Sequence, residues 1–150
     1  MTTGNKKFII LNSGDFTAVQ SGGNAQSFRN VLSVPLVLDK DKQYEVCVYS
    51  VFFPVSQFTN SVYVNLLNLC NSNITGSQQT SACCFIPYTM LSDTVPQLYY
   101  TTENCRVWYP IQPRVIPYID VSITMSTGQP IPVDGHFFST VIIAIREIVY

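Results

Sequence analysis

Ionised side chains are what this sequence has least of. Asp, Glu, Lys and Arg together make up 11% of its 150 residues, less than half of the roughly 25% usual in soluble domains. The net charge is −1, and no basic stripe supplies the electrostatic footprint of a nucleic-acid binder. Lys6-Lys7 is the only adjacent basic pair, and it reads as a solvated stretch rather than a phosphate or lipid contact.

Histidine occurs once, at His136. Any Ser-His-Asp or Cys-His arrangement would have to be built around it. It stands in Asp134-Gly135-His136-Phe137, at a turn entering the last strand, where a polar residue is expected without a catalytic role. The sequence has no G-x-S-x-G elbow, no Gly-rich phosphate loop and no H-E-x-x-H pair. Ser21-Gly22-Gly23-Asn24 bears glycine but lacks the Lys and the following helix that a phosphate cradle needs. Asp39 and Asp41 lack the rest of a calcium loop and read as a solvated turn. No catalytic, cofactor-binding or metal-ligating residue is assigned, and the expectation is a protein that is not an enzyme.

The five cysteines, Cys47, Cys70, Cys83, Cys84 and Cys105, are odd in number and contain no C-x-x-C. A structural zinc site and an even disulfide framework are both disfavoured, and reduced, buried thiols in a reducing compartment are expected. Cys83-Cys84 reads as one core and one outward position on a strand. Met1–Asn12 does not read as a secretory leader, because its apolar stretch Phe8–Leu11 is too short. No apolar run is long enough to form a membrane helix, and neither a myristoylation nor a prenylation pattern is present.

Helix signals are as scarce as charge. Ala is rare, Pro is spread along the chain, and no long window repeats apolar residues at helical spacing behind a cap. Strand signals fill the gap. Gln43–Phe53 (QYEVCVYSVFF) is β-branched and aromatic with period two. Strict alternation would put Tyr44, Val46, Val48, Ser50 and Phe52 on one face and Glu45, Cys47, Tyr49, Val51 and Phe53 on the other, both covered. Tyr118–Ser126 alternates with Ile119, Val121, Ile123 and Met125 on the apolar side. Further short strands are expected at Lys7–Asn12, Phe16–Gln20, Ser27–Leu38, Ser61–Leu69, Ala82–Tyr88, Pro96–Thr101, Cys105–Gln112 and Phe137–Tyr150. Pro35 marks an edge or a bend. Asn71–Ser81, small, polar and uncharged, reads as an exposed loop.

About nine short strands without a helix point to a single all-β sandwich or barrel over residues 1–150. Glu45 and Asp120 lie inside otherwise apolar strands and need partners; Arg29, Arg106, Arg114 and Arg146 are the candidates. Aromatics are 13% of the chain but lack neighbouring cations in sequence, which favours packing over base stacking. A small domain with so little charge either holds an unusually apolar core or covers its flanks with other protein. Its high surface-to-volume ratio favours the second.

Several segments, read in order, carry a family likeness. Phe28 to Leu38 with its Pro-x-x-Leu leads into Gln43-Tyr44-Glu45-Val46-Cys47-Val48, then Phe53-Pro54 and Asn60. Near the other end come Ile119-Asp120-Val121-Ser122-Ile123-Thr124, Gly128-Gln129-Pro130-Ile131-Pro132 and Val141-Ile142-Ile143-Ala144-Ile145-Arg146. The pattern resembles the single jelly-roll minor capsid (penton) proteins of polinton-like viruses, virophages and related large DNA viruses. It covers both ends of the chain and not Leu66 to Gln112.

The resemblance implies a single eight-stranded jelly-roll sandwich. Five copies would form a homopentamer at each icosahedral vertex of the virion, assembled in the reducing interior of the host cell. The partners would be further copies, the major capsid protein and other minor capsid proteins, with no nucleic acid, no membrane span, no cofactor and no metal. Another minor capsid or cement protein, and a carbohydrate-binding jelly roll such as a fibre tip or lectin, are the alternatives.

Overall fold

A strand with apolar residues on one side is stable only against a second apolar face. The computed structural model meets that need with two antiparallel sheets packed on one core. It describes residues 2–54, 61–70, 73–75, 78–86, 97–103, 106–125, 129 and 138–149. Along the chain run β1 (Thr2–Asn12), α1 (Phe16–Gln20), β2 (Ser27–Val37), β3 (Gln43–Pro54), β4 (Val62–Leu66), β5 (Asn73–Thr75), β6 (Gln78–Thr80), β7 (Ala82–Ile86), β8 (Gln97–Thr101), β9 (Tyr109–Pro110), β10 (Val115–Met125) and β11 (Thr140–Val149).

The first sheet has the order β1-β11-β3-β8, with β9 pairing β3 beside β8; the second has the order β2-β10-β4-β7. Of the links between successive long strands, only the one from β4 to β7 stays within a sheet, while the others cross the sandwich. That path is the jelly roll that the family resemblance implied. The inner rows of β10 (Ile119, Val121, Ile123) and β11 (Val141, Ile143, Ile145) are buried, together with Phe53, Val51, Val48 and Val46 of β3 and Val62, Val64 and Leu66 of β4.

Five local readings of the sequence change. Phe16–Gln20, expected as a strand, is a single helical turn. Asp15 precedes it and accepts the Thr17 amide at 2.9 Å and the Thr17 hydroxyl at 2.6 Å, an N-cap that local alternation does not reveal. Asn71–Ser81, expected as a loop, carries the β5–β6 hairpin, with Asn73 opposite Thr80 and Thr75 opposite Gln78. Among the described residues of Cys105–Gln112, only Tyr109–Pro110 pairs as a strand.

Strict alternation in β3 also fails after Val48. The register against β11 slips there, Val48 facing Ile143 and Ser50 facing Ile142, so Tyr49 is an extra residue. The core row therefore runs Val46, Val48, Val51, Phe53 rather than staying on even numbers. Such a bulge frees backbone acceptors. Thr102 satisfies them, its hydroxyl donating to the Val48 carbonyl at 2.7 Å and its amide to the Tyr49 carbonyl at 3.0 Å.

A second slip lies in β7, where Val64 faces Cys84 but Asn65 faces Ala82. Cys83 and Cys84 are consequently both buried, not one in and one out. In β2 the pairing jumps from Val31 to Leu36 while β10 advances only from Tyr118 to Ile116. Pro35 and Pro117, neither with an amide hydrogen, stand at that break. β2 is an edge strand, as Pro35 suggested.

Phe53 is among the largest fully buried side chains. Phe53→Ala is expected to lower stability by about 3–5 kcal/mol, seen as a drop in the urea midpoint at unchanged slope.

Candidate functional site

The sandwich has two outer faces and two open flanks, and they differ in chemistry. Over the β10 sheet the outer face is polar where β2 meets β10 and aromatic where Tyr63 packs on Phe85, with ring centres 5.3 Å apart. Arg29 and Asp120 face each other across β2 and β10 and form a two-point ion pair, Nε to Oδ1 at 2.7 Å and Nη2 to Oδ2 at 3.0 Å. The guanidinium also lies 3.8 Å from the Tyr118 ring centre. The carboxylate raises the Arg29 pKa by accepting its hydrogen bonds.

The outer face of the other sheet is aromatic. Alternation in β1 sends Phe8 and Ile10 outward and buries Leu11. Tyr49, set free by the β3 bulge, packs edge-on between Phe8 and Trp108, with ring centres 5.0 and 6.1 Å away. Arg106 sits over the Tyr49 ring and Arg146 over the Trp108 ring, each at 3.7 Å. Lys6 lies 5.9 Å from both rings. Glu45 closes the cluster by accepting Arg146 Nε at 2.6 Å. Both side chains of that pair are about 15% exposed.

This cluster explains why Ala144 and Cys47, which oppose each other on an outward row beside Phe8, are nonetheless buried. Burial pushes the Cys47 thiol up, with Arg106 opposing. The sequence reading that aromatics lack cations is overturned here. Residues 6, 49, 106, 108 and 146 meet only through the fold, and the guanidinium groups already cover ring faces that a stacked base would need.

On one flank, β1, α1 and β2 come together. The Thr17 hydroxyl accepts the Val31 amide at 3.0 Å, which occupies part of the free edge of β2. Asn30 bridges the two sheets at this end, accepting the Asn12 amide at 2.9 Å and donating to the Asn12 carbonyl at 3.0 Å. Phe16, Val19, Val31, Val34 and Val37 are exposed here, Val34 by 76%. The opposite flank, at β7 and β8, opens into a cleft of about 240 Å³ lined by Val48, Cys83, Cys84, Phe85, Tyr100 and Tyr109 among others. Phe85 is 51% exposed at its rim, and burial raises the Tyr109 phenol pKa.

Asp39 and Asp41 form a solvated turn, the Asp41 amide donating to the Asp39 carboxylate at 2.9 Å. Among the described residues, no three His, Cys, Asp or Glu side chains gather as a metal would require, and no helix is long and apolar enough to cross a membrane. His136, Asp134 and Cys105 lie outside the described residues. Of the charge partners sought from sequence, Glu45 finds Arg146 and Asp120 finds Arg29. Arg106 stacks on Tyr49, and Arg114 lies over Tyr44 at 5.9 Å.

No protein-family model matches the sequence, and no curated protein matches it either. The structure is similar to the crystal structure of the mavirus penton protein, with a TM-score of 0.64 and 8% identity over 95% of this chain and 100% of that one. The two share a fold.

Two variants check these local networks. Glu45→Gln removes the carboxylate from a mostly buried guanidinium and should destabilise by about 2 kcal/mol; Arg29→Ala, at an exposed pair, should cost less, both read by urea unfolding. Thr17 donors hold the Asp15 carboxyl below its ordinary 3.8. That cap stabilises above pH 3.8 and is lost as the pH falls through the lower folded value. Asp15→Ala should therefore be about 1 kcal/mol less stable at neutral pH, with the difference vanishing in acid.

Proposed function

We propose that this chain is a non-enzymatic capsid protein of a DNA virus, and specifically the penton, a homopentamer at the icosahedral vertex in contact with major and minor capsid proteins. The observation that carries the reading is the pair of unlike apolar flanks on a charge-poor sandwich. Exposed valines and α1 project from one edge, and a cleft opens at the other.

Side chains projecting from one edge and a cleft at the opposite edge are complementary in a head-to-tail sense. Repetition of such a contact closes into a ring when the rotation per copy divides the circle. Exposed apolar surface of this kind marks protein contact. The shared fold with the mavirus penton protein supports five as the number of copies and the virion as the location. The polar part of the β10 sheet's outer face stays available to solvent, and the aromatic face of the other sheet to neighbouring capsomers.

Native mass spectrometry of the purified chain should give a five-copy species. Val34→Asp and Phe85→Asp, on opposite flanks, should each abolish it while the monomer keeps the strand circular dichroism of the wild type, its melting temperature falling only by the loss of assembly. Mixed together, the two variants should form only a one-to-one pair, since each retains the flank the other lacks. A monomer that persists at high concentration, or a ring untouched by either change, overturns the reading. A monomer whose melting shifts with glycans would instead favour a lectin.

A further inference from the structure

Two cysteines 13 residues apart in the sequence meet where the turn after β4 packs beside β7. Cys70 and Cys83 are both buried, and their sulfurs are 2.7 Å apart. That is closer to the roughly 2.05 Å of a bonded pair than to an ordinary contact between unbonded thiols. The approach is built rather than incidental, because each partner is fixed by its own device.

Cys83 is the extra residue of the β7 bulge, which turns it inward beside Cys84 instead of outward. Cys70 ends the turn after β4, and that turn is anchored to β10. The Asn68 side chain donates to the Tyr118 carbonyl at 2.6 Å and accepts the Asp120 amide at 2.9 Å. The chain between the two cysteines forms the β5–β6 hairpin, so a bond between them would fasten the base of that arm.

We propose that Cys70 and Cys83 are a modification site, oxidised to an intramolecular disulfide by exchange with a low-molecular-weight or protein disulfide. The inference stands independently of the assembly reading. The Cys83 sulfur, which lines the cleft between β7 and β8, attacks one sulfur of the incoming disulfide as thiolate and expels the first thiol. The Cys70 sulfur then attacks Cys83 in the mixed disulfide and expels the second. One S–S bond is lost and one is formed. Two electrons pass from the protein to the incoming disulfide, and the two protons leave on the departing thiols.

The surroundings suit this exchange. The cleft that Cys83 helps to line offers a small disulfide an approach. Oxidation leaves no orphaned acceptor. The Ser81 carbonyl now receives the Cys83 thiol at 3.3 Å, and it retains the Leu66 amide at 3.1 Å once the thiol hydrogen is gone.

The full-length protein, purified in dithiothreitol and then treated with oxidised glutathione, tests the proposal. Its intact mass should fall by two hydrogens, and digestion should yield one peptide pair joined through Cys70 and Cys83. The melting temperature should rise by roughly 10 °C and return on reduction. Cys47→Ser should keep that shift and Cys83→Ser should lose it. Should Cys83→Ser not fold, alkylation of the native and oxidised wild-type protein gives the same discrimination. Alkylation of both residues after oxidation, a link through Cys84 or Cys47, or glutathione retained on Cys83 would each overturn it.

Discussion

Everything in this sandwich depends on β11 lying between β1 and β3. Its inward row, Val141, Ile143 and Ile145, is buried against β10, β3 and β4. Its two edges carry the backbone pairing that gives β1 and β3 their places. Because side chains alternate, a slip of one residue at β11 would turn that row to solvent and bring Arg146 inward. Glu45 opposes Arg146 directly and acts as a register pin. The few charges are spent where they select one pairing over its neighbours, as with Arg29 and Asp120 in the other sheet.

The interruptions in the ladders matter as much as the ladders. At Tyr49 a bulge redirects β3, lets Phe53 enter the core and places a ring outside between Phe8 and Trp108. At Cys83 a bulge brings a thiol inside. At Pro35 and Pro117 the pairing is broken and valines are left facing solvent. Each departure costs backbone pairing locally and gives a side chain a position that regular pleating denies it.

These are also the places where sequence and structure part. Long alternating runs with uniform chemistry were legible: β10 shows its inner row in Ile119, Val121 and Ile123, and an all-β sandwich or barrel follows from many short strands with helix signals missing, the jelly roll itself being implied only by the family resemblance. Bulges leave no mark on composition, so QYEVCVYSVFF looks regular to its end and Cys83-Cys84 looks like an ordinary alternating pair. The helix at Phe16 depends on one carboxylate capping one amide, and the propensities of five residues cannot announce it. The aromatic cluster was invisible for another reason. Its members come from β1, β3, β11 and the stretch before β9, and only tertiary pairing makes neighbours of Lys6, Tyr49, Trp108 and Arg146. Asp120 and Glu45 were readable as charges in need of partners, but which arginine answered each depended on strand order.

That strand order carries a consequence for synthesis. β1 finds its in-sheet neighbour only in β11, about 130 residues later. On the ribosome the first strand therefore waits, its Ile9 and Leu11 side uncovered and its backbone edge open, until β11 has emerged. A protein laid out this way cannot close its sandwich before β11 is made, and in the interval it relies on chaperones or on dilution to keep nascent copies from pairing with one another.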